Sequence, residues 1–397
     1  MRGAYGLRPM SSLAIGQVLE VTAEKLAFGG SAIARHDGAV LFVPFAAPGD
    51  RLRVVVTEAD KRFFRATIQQ VLEPSPHRRE PRCSLFGKCG GCQFQHVTYE
   101  EQVRQKAEIV RDALVRIGGF DWQQPIRVHT GEEWGYRSRT QLKCEPGALG
   151  FNRPETKTVI DVPSCPVLAP ALNEALVQVR AAVATLPDDQ LPYQVEGSCG
   201  TNGAMFSPDL PGMKKDLVEH RVCGFSYLIE PDSFFQGNRF LVDSLVQGAV
   251  AGEQGKLCYD LYAGIGLFSL PLAKAFGEVV AVEDERRAVL LGRVACHRND
   301  VRNVGYVRDS VEGFLRAKRA VPDLVLMDPP RLGAKPAIPG LLQLRAPRIV
   351  YVSCDPNTLA RDLKELCAGG YLLESVEAWD MFPQTHHVEC VARLRLA

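Results

Sequence analysis

A chain of 397 residues with 46% apolar and 23% charged content is ordinary globular material, long enough for two or three domains of ~100–200 residues each. Its formal net charge of +1 carries no global polyanion signature, so any nucleic-acid surface has to be local. No apolar run approaches the ~18 residues of a membrane span and no basic-then-apolar leader opens the chain, so a cytoplasmic protein with no membrane partner is expected, its 12 cysteines being reduced thiols, metal ligands or catalysts rather than a disulfide framework.

From about Ser12 to Leu72 the chain reads as short β segments separated by the turn signals Phe28-Gly29-Gly30, His36-Asp37-Gly38 and Pro48-Gly49, the pattern of a small closed barrel of the OB type. Between Asp50 and Arg82 eight basic residues stand against five acidic ones, with Phe63 and Phe64 among them. Such a segment fits either a solvated strand face or an RNA contact. Pro74-Ser75-Pro76 then breaks the β pattern.

The next stretch, "CSLFGKCGGC", sets Cys83, Cys89 and Cys92 at a spacing that can clasp one metal centre, with Gly90 and Gly91 letting the loop turn its amides toward sulfur. Cys165, in "PSCPVL", is the best fourth ligand, because a cysteine followed by proline recurs among iron–sulfur ligands. Spacing alone leaves zinc, a [4Fe–4S] cluster and unligated thiols open. Behind Thr98, with Glu101 three residues on, apolar residues recur at helical spacing, which predicts a capped helix. A mixed α+β segment follows from about Ile126 to Tyr227, with one helix near Ala169 to Ala184.

From about Ser226 the pattern becomes strand–helix alternation. Helices are expected near Asn238–Val250, Leu267–Ala275, Glu285–Asn299 and Pro356–Ala368, with strands at "LCYDLYAG", "EVVAVE", "VGYVR", "DLVLMD" and "RIVYVS". That alternation implies a doubly wound, Rossmann-like parallel sheet. The expected fold class is therefore α/β with an N-terminal OB-like β-barrel, divided as 1–73, 74–225 and 226–397.

Four strand ends in this part carry chemistry. Gly264 and Gly266 lie in a strand-to-helix turn where a ligand can approach the backbone, while Ser269 stands where a pyrophosphate fingerprint would have its third glycine. Glu283 ends the next strand, where a carboxylate can accept from ribose hydroxyls. The pair suggests an adenosine ligand without pyrophosphate. Asp328 opens a stiff Asp-Pro-Pro-Arg turn. Cys354 ends "RIVYVS" at the crevice edge, as a nucleophile or as a small buried hydrophobe.

Taken together, "SFFQGN", "YDLYAGIG", "LMDPPR", "VYVSCDPNTLARDL" and "DMFPQTHHVE", in that order behind a three-cysteine loop and a barrel, resemble the RNA 5-methyluridine methyltransferases. The resemblance covers nearly the whole chain. It implies a TRAM barrel, S-adenosyl-L-methionine as methyl donor, and a [4Fe–4S] cluster on Cys83, Cys89, Cys92 and Cys165. It also implies Cys354 as nucleophile and Glu389 as proton-abstracting base, with Gln236, Tyr262, Gly264, Gly266, Glu283, Asp309 and Asp328 around the cofactor. Leu267 and Ala263 depart from it, since many relatives carry asparagine and cysteine there.

The implied chemistry is addition of Cys354 to uracil C6, which makes C5 nucleophilic, followed by removal of the C5 proton by Glu389. The target uridine would be flipped out of its RNA. Asp328 could favour uracil by accepting from N3–H. The expected partner is RNA, ribosomal before transfer RNA, and the expected state is a monomer. The rival readings are a non-catalytic RNA-binding or ribosome-assembly factor and a redox enzyme using the cluster.

Overall fold

The computed structural model describes residues 13–317 and 320–397. The first part of the expected 1–73 segment, including its start at Ser12, lies outside the described residues. The chain divides into two compact units, one running to Gln105 and including Gln384–His386, the other comprising Lys106–Pro383 and His387–Ala397.

In the first unit β1 (Val18–Leu26), β2 (Ser31–His36), β3 (Ala39–Pro44), β4 (Arg51–Ala59) and β5 (Phe64–Glu73) close a barrel in the order β1-β2-β3-β5-β4. Alternation builds it: Leu19, Val21 and Ala23 from β1 and Leu52, Val54 and Val56 from β4 all point inward, as the two-residue period of a strand requires. The β2–β3 hairpin turns on Asp37 and Gly38, both at positive φ, the backbone that suits the twist of a tight hairpin.

The expected basic face is largely an ion-pair lattice. Arg51 pairs with Glu73 and Glu20, Arg53 with Glu20, Arg65 with Glu58, and Arg78 with the fully buried Asp50. Phe64 is core at 4% exposure, whereas Phe63 meets Phe42 edge-on beside exposed Lys61 and Arg62. The RNA-facing reading of this segment therefore narrows from two phenylalanines to the Lys61–Phe63 turn.

Helix α1 (Tyr99–Ala113) begins after Thr98 as expected. Glu101 does not close the capping box, however, and instead accepts from Arg104 and Gln105. The first strand of the second unit is the two-residue β6 (Val128–His129). Next come β7 (Arg139–Glu145), β8 (Ala148–Asn152), β9 (Val159–Asp161), α2 (Pro170–Ala184), β10 (Gln194–Gly200) and β11 (Gly203–Ser207), whose strands form a sheet ordered β11-β10-β7-β8-β9. The hairpin of β12 (Val218–Val222) and β13 (Phe225–Ile229) leads to α3 (Val242–Val250).

The remaining elements are β14 (Gly255–Leu261), α4 (Ser269–Leu272), β15 (Phe276–Glu283), α5 (Arg286–Arg298), β16 (Val304–Arg308), α6 (Val311–Arg316), β17 (Leu324–Met327), α7 (Ile338–Leu344), β18 (Arg348–Ser353), α8 (Pro356–Ala368), β19 (Tyr371–Trp379) and β20 (Glu389–Leu396). They build a sheet ordered β16-β15-β14-β17-β18-β20-β19-β6. Strands β14 to β18 are parallel, and β20 runs antiparallel between β18 and β19. Leu324, Leu326 and Val350 face one apolar cluster while Val325, Met327 and Ile349 face the other. Both faces are covered, as a parallel sheet requires.

Local signals set most boundaries. The helix expected from Asn238 starts at Val242, because the Asn238 side chain accepts from Phe240 N and Leu241 N and holds a turn first. The helix expected over Leu267–Ala275 shrinks to the four residues of α4, around Pro271, which has no backbone N–H to give. Helices α6 and α7 and strands β19 and β20 go beyond the sequence reading. Among the described residues no helix is long and apolar enough to cross a membrane.

Candidate active site

The chain passes from β14 outward through β15 to β16, then returns to lay down β17 and β18 on the other side of β14. The carboxyl ends of β14 and β17 thus flank the point where winding reverses, which is where open α/β sheets bind ligands.

On the β14 side the backbone is drawn into a ligand turn. Tyr262 stands at φ +60 and Gly264 at φ +54, and a Cβ built on Gly264 would meet nothing within 4 Å. That open space lies directly over the turn. Gly266 is different, since a Cβ there would press within 2.5 Å of the Tyr306 hydroxyl. Glu283 accepts from Gly264 N at 2.8 Å and from Glu285 N at 2.9 Å, and Asp309 N donates to the Glu283 carbonyl at 3.2 Å. The ends of β14, β15 and β16 are thereby stitched together. Tyr262 Oη reaches Glu312 Oε1 at 3.4 Å, a partner that sequence reasoning missed.

Asp260, also missed, is the fully buried carboxylate inside "YDLYAG". Its Oδ2 accepts from Ser269 Oγ at 2.5 Å and its Oδ1 has no partner among the described residues. Burial pushes it up to about 7, and burial together with the charge of Asp260 pushes Asp328 to about 7 as well. A carboxylate inside an apolar strand run was the signal available in the sequence.

On the other side β18 delivers Cys354 to the edge. Asp355, just beyond it, caps α8 by accepting from Asn357 N at 2.8 Å and Thr358 N at 3.2 Å, with Pro356 at the first helical position. Strand β20 pairs with β18 so that Ser353 lies opposite Cys390, and one further step sets Cys354 opposite Glu389. Glu389 is 2% exposed and its Oε1 has no partner among the described residues. Burial, and then the charge of Asp328, raise its carboxyl well above the usual range, while Arg331 acts in the opposite sense. Cys354 is pushed up to about 12 by burial and by Glu389, and Arg331 again opposes the rise. The thiol, the two acids and the guanidinium are therefore in one electrostatic neighbourhood.

The segment before Glu389 is fixed from within the same unit. Lys106 Nζ donates to Asp380 Oδ1 at 2.5 Å and to the Phe382 carbonyl at 3.0 Å, with both ions fully buried. Asn238 Nδ2 donates to the Met381 carbonyl at 3.1 Å, and Ser138 N to the Gly237 carbonyl at 2.8 Å. Gln236, which is buried, immediately precedes these two anchored residues.

Among the described residues no group of three or more His, Cys, Asp or Glu side chains is gathered to hold a metal ion. Cys83, Cys89, Cys92 and Cys165 are partly exposed thiols, although Gly91 N does donate to Cys89 Sγ at 3.4 Å, as the glycine pair led one to expect.

Residues 213–396 match the family tRNA (Uracil-5-)-methyltransferase, and residues 13–68 match the TRAM domain. A 23S rRNA (uracil(1939)-C(5))-methyltransferase of Shewanella woodyi is 30% identical over 99% of both chains, and the protein of the same name from Salmonella typhi is 33% identical over 94% of this chain and 95% of its own. An uncharacterized RNA methyltransferase of Synechocystis is 31% identical over 96% of both. Among solved structures, the Pyrococcus abyssi tRNA (uracil-54, C5)-methyltransferase in complex with S-adenosyl-L-homocysteine superposes with a TM-score of 0.75 at 25% identity, covering 94% of this chain and 99% of that one.

Proposed function

Because the chain belongs to the RNA (uracil-5-)-methyltransferase family and is an enzyme of that activity, we propose that it methylates uracil C5 through a covalent adduct at Cys354, resolved by Glu389. The observation that carries this reading is the register of β18 and β20, which sets a thiol opposite a buried carboxyl.

The turn after β14 suits S-adenosyl-L-methionine. It offers open space over Gly264, the orphaned Asp260 Oδ1, and acids at Asp260 and Asp328 to balance a cation. When bound, that cofactor supplies an electrophilic methyl group on a sulfonium. Glu283 would hold the ribose, since its two oxygens keep lone pairs beyond the two backbone bonds they accept. Gln236, Tyr262, Gly264, Gly266 and Asp309 would complete the pocket.

Cys354 adds to C6 of the uracil as its thiol gives up a proton, and the C5–C6 electrons move toward the C4 oxygen. C5 would then form the new carbon–carbon bond to the methyl group as that methyl's bond to the sulfonium sulfur breaks, the sulfur keeping the electron pair and leaving as the neutral thioether. Glu389, as carboxylate, takes the remaining C5 proton; the ring double bond returns and the C6–S bond breaks. Arg331 eases both ionisations, because its charge favours the thiolate and the carboxylate alike. A stacked base hides C5 and C6, so the uridine is flipped out, and Asp328 accepts from its N3–H.

The substrate we propose is large-subunit ribosomal RNA, on the strength of the relatives matched end to end; position 54 of transfer RNA is the second reading, favoured by the Pyrococcus structure. The enzyme acts as a cytoplasmic monomer, and the Lys61–Phe63 turn adds RNA affinity. Cys83, Cys89, Cys92 and Cys165 as holders of a [4Fe–4S] cluster rest on spacing and resemblance. Protein purified without oxygen would then contain iron and sulfide in equal amounts and bleach in Cys165→Ser; zinc, or neither metal, would reject the cluster.

The function is tested by incubating RNA from cells lacking this protein with the enzyme and methyl-labelled cofactor. Label is expected as 5-methyluridine at a mapped position in 23S rRNA. Label on another base, or none, would overturn the reading.

A further inference from the structure

At 82% exposure Leu332 is the most exposed large apolar side chain among the described residues. A lone exposed leucine is unremarkable on a surface. This one is held on a turn whose backbone is fixed from below. Gly333 N donates to the Pro330 carbonyl at 2.8 Å, Thr358 Oγ1 to the Arg331 carbonyl at 3.2 Å, and Arg361 Nη2 to the Leu332 carbonyl at 2.8 Å. Gly333 takes φ +79, and a Cβ there would strike Asp362 Oδ2 at 2.5 Å. Asp362 is itself buried and receives Ala334 N at 2.7 Å and Tyr351 Oη at 2.8 Å.

The place of the turn matters as much as its rigidity. It begins at the end of β17, and Thr358, which clasps it, lies in the first turn of α8, directly after Cys354. Arg331 and Lys335, both exposed, flank the leucine with positive charge. A rigid turn that presents one apolar side chain between cations, at the rim of a site that must receive an unstacked base, has the make-up of the wedges that proteins insert between base steps.

We propose that Leu332 is such a wedge: it enters the RNA stack beside the target uridine and fills part of the gap that the flipped base leaves. The inference rests on the uridine-flipping reading above. Arg331 and Lys335 take the adjoining phosphates, and the clasp from Thr358 and Arg361 keeps the leucine from folding back.

The test compares Leu332→Ala and Leu332→Met with wild type on three folded RNAs. The first carries the uridine that wild type labels, with both neighbouring bases present; the others replace the 5′ or the 3′ neighbour by an abasic site. Leu332→Ala should lose about tenfold or more in kcat/KM on the intact RNA and recover to within about threefold of wild type on one abasic RNA, where less stacking has to be broken. Leu332→Met should follow wild type throughout, and S-adenosyl-L-homocysteine should bind all three proteins alike. An equal loss on every RNA, or no loss on the intact one, would overturn the wedge. A wild-type enzyme that labels no uridine would instead sink the functional reading on which it rests.

Discussion

Cys354 stands opposite Glu389, one step beyond the Ser353–Cys390 pair that closes the register of β18 and β20. The two residues are 35 positions apart in sequence, by subtraction of their numbers. They come into one electrostatic neighbourhood because β20 inserts antiparallel between β18 and β19.

Glu389→Gln preserves the shape of the buried side chain but replaces the base by an amide. Attack by Cys354 and methylation can proceed while elimination cannot. A denaturation-resistant protein–RNA adduct carrying the labelled methyl group should therefore accumulate, visible as a shifted band on a denaturing gel. Cys354→Ala and the double variant should show none. Normal turnover by Glu389→Gln would remove the base from the mechanism.

With Cys354 pushed up to about 12, its thiol is protonated at neutral pH before substrate binds, and burial raises the Glu389 carboxyl above its usual range. The single-turnover rate of adduct formation should rise with pH from neutral into the alkaline range without levelling early. Loss of the Arg331 charge moves the thiol further up, so Arg331→Gln should be slower by about tenfold for each additional pKa unit, by the same factor across the pH range in which both thiols remain largely protonated. A rate equal to that of wild type across this range would contradict the role given to Arg331.

Asp260 and Asp328 each sit at about 7, against ordinary values near 3.8. A cationic sulfonium placed beside them, as proposed, would lower both, so binding would expel protons and S-adenosyl-L-methionine should bind more tightly as pH rises from about 5 toward 8. S-adenosyl-L-homocysteine lacks the sulfonium charge and should show a flatter profile. Calorimetry in two buffers of different ionisation enthalpy would count the protons; equal release by both ligands would place the sulfonium elsewhere.

Lys106 and Asp380 form a fully buried pair behind the segment that leads to Glu389. Lys106→Met leaves Asp380 charged and uncompensated, which should cost about 3–5 kcal/mol in denaturant unfolding. Adding Asp380→Asn should restore part of that stability, because the stranded charge is gone. If Lys106→Met is as stable as wild type, the pair does not anchor the segment.

The sequence by itself determined what is decided within a few residues. Asp355 and Pro356 start α8 at the expected residue, Asn238 turns the chain ahead of α3, and the two-residue period of β1 and β4 encloses a barrel. Cys354 at the end of its strand and Gly264 in its turn follow from the same local chemistry. Tertiary structure alone decided which strand ends became neighbours. Asp260 acts on Asp328 only because β17 returns to the side of β14, and the arginines of β4 meet Glu20 only because β1 pairs with that strand. Strand order and register are chosen by the burial of whole apolar faces against distant parts of the chain, a sum over many residues that no short stretch contains, and the opposition of Cys354 and Glu389 is one of its products.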